Sequence, residues 1–207
     1  MENFHFIQIL VAASFLISLF WLERKGIDKI VFNIICLNFA VEITVSTLLT
    51  FGFEDVGIFY TLYTICHNTL WLLLITRVFK VRGIRIIAPY LLFCILNLIL
   101  YEGSYDYNTY SFVIGGFIYV AIFIYQSFRS LQLEKFQFLL GLDYFLLFIP
   151  VLFFLGLSFY FGFKDSSLGD IKLIGELDLY KFVMNFVNFV YYSLLVVYVI
   201  KRGKSGR

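Results

Sequence analysis

Charge is what this sequence has least of. Of its 207 residues only 14% are Asp, Glu, Lys or Arg, where soluble domains carry roughly a quarter. So little charge excludes an ordinary water-facing surface. No polar segment is long enough to fold as a soluble domain, so any output must leave through short loops or a partner protein. Proline is scarce as well. Pro89, near the start of an apolar run, suits the beginning of a helix, and Pro150 interrupts the longest run, where a kink is expected. The three cysteines, Cys36, Cys66 and Cys94, fall inside apolar runs with no CxxC spacing, so they read as packing residues rather than a disulfide framework or a metal site. Enzymatic signatures are missing: there is no HExxH, no GxSxG and no phosphate-cradling glycine loop. "GLDY" (Gly141 to Tyr144) holds the single in-span aspartate, Asp143, which denies the chain paired-aspartate chemistry. No lysine sits in the middle of the last run, which excludes a retinal Schiff base. A non-enzymatic protein without cofactor or metal is therefore expected. An acid and base pair of Glu42 and His67, as in a membrane hydrolase, stays open.

What is present is hydrocarbon, at 61% hydrophobic and 21% aromatic residues. A spanning helix needs roughly 20 apolar residues, and seven windows qualify: 4–22, 30–50, 58–79, 86–101, 111–129, 137–163 and 180–200. Their continuity excludes the short alternating strands of a β-barrel. The expected fold is an all-α polytopic membrane protein of seven transmembrane helices, one domain over 1–207. Thirteen of the sixteen basic residues fall in the first, third and fifth connections and the tail, whereas acidic residues dominate the other side. The positive-inside rule then places the N-terminus outside and the C-terminus inside. The N-terminus has no positive n-region and no small-residue cleavage site, so it reads as the first span rather than a removable signal. The basic tail 201–207, "KRGKSGR", fits topology and anionic lipid contact better than nucleic acid. On the opposite side, Lys164 to Lys181 alternates apolar and acidic residues, a pattern for a small hairpin or an amphipathic cap.

Polar groups inside spans are costly, and each is a candidate for function. Asn38, Glu42 and Ser46 follow at steps of four on one face of the second span. The third span, through "YTICHNTLWLL", offers Thr61, Thr64, His67, Asn68 and Trp71. Asn97 lies near the outer end of the fourth. In the seventh, Asn185, Asn188 and Tyr192 form a stripe. By depth, most of this set falls in the middle or outer half of the bilayer. If the faces converge, Asn38, Glu42, Thr64, His67, Asn68, Trp71, Asn97, Asn185, Asn188 and Tyr192 line an outward-facing cavity for a small molecule. Asn, Ser and Thr also serve as plain interhelical glue, worth about 0.6 kcal/mol each. Asp143 belongs to an inner layer, within reach of Arg77 or Arg129, either as a structural ion pair or as a latch that a ligand biases.

"FIQILVAASFLISLFWL", "NFAVEITVSTLL", "YTLYTICHNTLWLLLITRVF" and "FVNFVYYSLLVVYVI" together resemble small seven-span bacterial membrane proteins of the Bacteroidota type, often encoded near sensor kinases and response regulators. Within that resemblance Glu42 matches the group's acidic second-span residue, and Asn188, Tyr191 and Tyr192 match its last-span run. "HNTLW" departs from it, where the group tends to have an acidic residue with aromatics. The resemblance implies an inner-membrane receptor, sensor or accessory subunit that signals through a membrane or cytoplasmic partner. A small-solute transporter or proton-coupled permease is the alternative, and an oligomeric component of a defence or envelope system a third.

Overall fold

A computed structural model describes residues 2–53, 55–103, 107–162, 171–174 and 177–205. Long apolar runs become helices because hydrocarbon offers no partner for backbone polar groups, which must bond within the segment. In chain order these are α1 (Glu2–Trp21), α2 (Gly26–Thr50), α3 (Gly57–Val78), α4 (Ile84–Leu100), α5 (Thr109–Gln132), the single turn α6 (Phe136–Leu139), α7 (Leu142–Gly162) and α8 (Leu179–Ser205). Just before α8 two short strands, β1 (Lys172–Ile174) and β2 (Leu177–Asp178), pair antiparallel. The 164–181 connection thus carries an antiparallel strand pair, and the other elements among the described residues are all helices.

Five helices, α2, α3, α5, α7 and α8, are long and apolar enough to cross a membrane. The chain is a multi-pass helical membrane protein. The apolar stretches Phe6–Trp21 of α1 and Ile84–Leu100 of α4 are shorter. Pro89 lies inside α4, past its first turn rather than at the helix entry, and α7 is helical on both sides of Pro150. The sixth apolar window is divided instead at Leu140 and Gly141, between α6 and α7. Glu54, Asp106, Asp165, Asp170, Glu176 and Arg207, which contribute to the sidedness of charge in the sequence, lie outside the described residues.

Three helix ends share one device. After α2, the Gly52 and Phe53 N–H groups donate back to the Leu49 and Leu48 carbonyls; after α3, Lys80 and Val81 donate to Arg77 and Thr76; after α5, Glu134 and Lys135 donate to Leu131 and Ser130. This is the Schellman pattern, in which the residue after the cap adopts a left-handed conformation. Gly52 does so at φ +83 without strain, whereas Lys80 (φ 55) and Glu134 (φ 52) carry a Cβ there.

Packing arranges α1, α2, α3, α5, α7 and α8 as a closed ring in chain order, α8 returning to α1. Helix α4 stands outside this ring, against α3 and α5. Ring neighbours run antiparallel except two parallel pairs. In α1 and α8, Phe6 stacks on Phe189 at one end and the Trp21 carbonyl abuts Gly203 at the other; in α3 and α5, Asn68 meets Ser111 and Phe112 while Trp71 meets Tyr119 further along both helices. Fully buried Ile34, Ile35, Leu72, Ile75, Leu146, Leu147 and Leu195 fill the interior. Phe20, Ile99 and Phe117 are 70–76% exposed. Apolar residues on both faces of a helix are the mark of a bundle bathed in lipid. Close approach comes at small residues: Gly115 lies against Asn68 and Tyr90, Gly116 against Phe154, and Gly156 against Val187.

Candidate functional site

The antiparallel α2 and α3 bring the residues before Thr50 beside those after Gly57. A cavity of about 160 Å³ opens there between α1, α2, α3, α7 and α8. Its polar lining is Asn38 and Glu42 from α2, Tyr60 and Tyr63 from α3, and Asn188 and Tyr192 from α8. At 1.5 Å per residue, Glu42 sits about 12 Å and Asn38 about 18 Å from the C-terminal end of α2. Asn38 is 4% exposed, and neither its Nδ2 nor its Oδ1 has a hydrogen-bond partner. Tyr191 and Tyr192 lie beside that amide, yet neither phenol meets hydrogen-bonding geometry with it. An amide buried without partners costs about 1–3 kcal/mol, so this one stands to gain from a ligand that bonds it. Asn188 is committed elsewhere, its Nδ2 donating to the Met184 carbonyl one turn back at 2.9 Å. Behind Glu42, Gln8 of α1 donates to Ser46 Oγ at 2.5 Å, and both flank a second hollow that Glu42 also lines.

His67 is not in the cavity. It lies one side chain below it, packed on Tyr63 and Phe153, whose ring centroids are 5.1 and 5.4 Å away and which line the cavity from the other side. Trp71 Nε1 donates to His67 Nε2 (3.1 Å) and to Tyr191 Oη (3.2 Å), and Tyr191 Oη lies 3.2 Å from His67 Nε2. Because an indole nitrogen only donates, Nε2 must accept, which fixes the imidazole as the Nδ1–H tautomer. Glu42 and His67 therefore do not meet, since a layer of aromatic rings separates them.

Compared with protein-family models, curated proteins and solved structures, the chain matches none.

The remaining candidates from the sequence serve another layer, because α4 stands outside the ring and draws them outward. Asn68, fully buried, donates from Nδ2 to Tyr90 Oη (3.1 Å) and to the carbonyls of Phe112 (3.3 Å) and Ser111 (3.4 Å). Asn97 Nδ2 donates to Asn108 Oδ1 (2.9 Å), Ser111 Oγ (3.0 Å) and the Glu102 carboxylate. Asn108 in turn donates to Thr61 Oγ1 and to the Gly103 carbonyl. This network pins the connection between α4 and α5 onto α3. Thr64 Oγ1 donates to Tyr107 Oη at 3.1 Å. Burial pushes the Tyr107 phenol above its ordinary value, the Thr64 bond opposing that shift, so Tyr107 stays protonated. Asn185 is half-buried with Oδ1 unpartnered.

At the other end of the bundle Asp143 faces neither Arg77 nor Arg129. The contact is with Arg202 of α8, Nη1 to Oδ1 at 3.7 Å, and Arg202 Nε also reaches both carboxylate oxygens of Asp28 at 3.1 Å. Tyr198 Oη donates to Asp28 Oδ1 at 3.1 Å. The reason is the antiparallel packing of α7 on α8, which sets the start of α7 beside the end of α8. Arg77 and Arg129 are exposed. Arg202 belongs to the basic tail in the sequence reading, and Asp28 lies just before the 30–50 window. Tyr198, one turn before Arg202 on the same helix, was the available sign that this face turns inward. Gln8, a polar side chain within the first apolar window, was equally visible.

Proposed function

We propose that the chain is a seven-span, N-out receptor or accessory subunit of a bacterial cytoplasmic membrane, which binds a small solute in the α2, α3 and α8 cavity and signals through a partner protein. The observation that carries this reading is Asn38, an amide buried with both polar atoms unpaired, set one turn below a carboxyl in a cavity at one end of the bundle. The orientation rests on the basic residues gathered at the opposite end, around Arg24, Arg82, Lys135 and Lys204, which the positive-inside rule assigns to the cytoplasm. The resemblance to proteins encoded near sensor kinases supplies the kind of partner.

Binding is favoured over chemistry. Among the described residues, Glu42 is the one carboxyl lining the cavity, and His67, which a Glu42-based acid and base pair would need, is held by Trp71 and Tyr191 behind a ring layer. Binding is also favoured over transport. A permease needs polar continuity through the membrane, whereas between the cavity and the Asp28–Arg202 layer the same helices present Val31, Ile34, Ile35 and Leu195, each at most 1% exposed. A ligand acts here only if it binds two states of the bundle with different affinity. The inner Asp28, Arg202 and Asp143 contacts, which join α2, α7 and α8, are the element such a ligand would bias. Affinity purification of the tagged full chain from its own membrane should recover a partner, and Glu42→Gln should alter that partner's output. A chain that purifies alone and moves solute across reconstituted vesicles would refute the receptor reading.

A further inference from the structure

The cavity lining has a definite chemistry. Among the described residues, Glu42 is its only ionisable residue apart from tyrosines, and no Lys, Arg or His lines it. Four aromatic rings, those of Tyr60, Tyr63, Phe153 and Tyr192, form much of the remaining wall. Aromatic faces attract cations through their quadrupole, and a carboxyl adds a full countercharge when ionised. An anion would meet repulsion from both. At about 160 Å³ the space is close to that of the roughly 150 Å³ cavity that accommodates benzene, a body of six heavy atoms. Asn38 supplies the second pole. It lies one turn from Glu42 on the same face of α2, where Cβ atoms are about 5–6 Å apart, and offers an unpaired donor and an unpaired acceptor.

Resting on the receptor reading above, we infer that the ligand is a small organic ammonium ion with an oxygen two carbons from its nitrogen, of the ethanolamine or choline kind. The ammonium group sits against Glu42 and the tyrosine rings, and the oxygen takes the amide of Asn38. Both free amino alcohols and phospholipid headgroups carry this unit. The proposal explains together the lone carboxyl, the aromatic wall and the unpaired amide.

Calorimetric titration of the full-length protein in nanodiscs of phosphatidylglycerol, with choline and with its uncharged isostere 3,3-dimethylbutan-1-ol, tests the inference. Choline should bind at least tenfold more tightly than the alcohol, and Glu42→Gln, which keeps the shape of the side chain, should erase that margin while melting as the wild type does. The wild-type comparison stands even if the variant fails to fold. Nanodiscs containing phosphatidylethanolamine separate the two sources: weakened choline binding there assigns the site to a lipid headgroup, and unchanged binding to a free amine. Equal or tighter binding of the alcohol overturns the ammonium inference, and if Asn38→Ala abolishes that binding the receptor cavity itself stands. No heat from either compound at millimolar concentration also overturns the inference, leaving the receptor reading to the partner experiment.

Discussion

Gly115→Ala probes the packing that separates the two polar layers. The added Cβ would overlap the Asn68 amide nitrogen and lie 2.9 Å from both Asn68 Cγ and Tyr90 Cε2. Asn68 is fully buried and Tyr90 is 1% exposed, so neither has room to retreat without losing its bonds. Overpacking of this kind costs about 1–3 kcal/mol. The Asn68 amide has two protons to share among Tyr90, Ser111 and Phe112, and losing two interhelical bonds at ~0.6 kcal/mol each adds about 1 kcal/mol. A destabilisation of about 2–4 kcal/mol is therefore expected. Equilibrium unfolding in mixed detergent, followed by tryptophan emission, measures it. Asn68→Ala empties the space the new methyl needs, so the double variant should lose less than the sum of the singles by about 1 kcal/mol or more. A Gly115→Ala protein within about 0.5 kcal/mol of wild type, or an additive cycle, would refute the reasoning.

The left-handed cap residues give a prediction of opposite sign: Lys80→Gly and Glu134→Gly should each stabilise by about 1 kcal/mol, because glycine adopts that conformation without a Cβ clash. Lower melting temperatures for both would contradict it. Tyr191→Phe removes the hydroxyl shared by His67 and Trp71 and should cost about 1 kcal/mol. It should also shift the Trp71 emission, measured in a Trp21→Phe background, since the indole N–H loses one of its two acceptors; unchanged emission speaks against the triangle. Between α7 and α8, Gly156→Ala meets Val187, with Cγ1 at 3.1 Å and Cγ2 closer still, and should destabilise by about 1–3 kcal/mol. Gly162→Ala, with none of the described residues within 4 Å, is the neutral control in the same unfolding assay.

Particular residues show where sequence reading stopped. Asn38, Glu42, Asn188 and Tyr192 line one cavity; steps of four on α2 and α8 made the shared face of each pair legible, whereas the meeting of the two faces was not. His67, Asn68 and Trp71 share a stretch of α3 yet divide between two layers. Asn68 turns to α4 and α5, while His67 and Trp71 turn to α8. Spacing cannot tell these neighbours apart, because α3 packs against α2, α4, α5 and α7, and adjacent positions on it find different partners. Asp143 illustrates the same limit: several basic residues end near it along the chain, and only the pairing of α7 with α8 selects Arg202.

The sequence by itself determined that the chain is helical and membrane-bound, where its apolar runs lie, and at which ends its charges collect. Hydrocarbon forces those features, since backbone groups must bond internally and charge is costly away from the ends. Only the tertiary structure decided the order of the ring, the place of α4 outside it and the separation of Glu42 from His67. In a soluble protein an apolar stripe points a helix toward the core. Here lipid and core are equally apolar, so the choice of neighbours falls to the fit of small residues such as Gly115 and Gly156 and to bonds such as those of Asn68 and Arg202, which exist only once the helices have met.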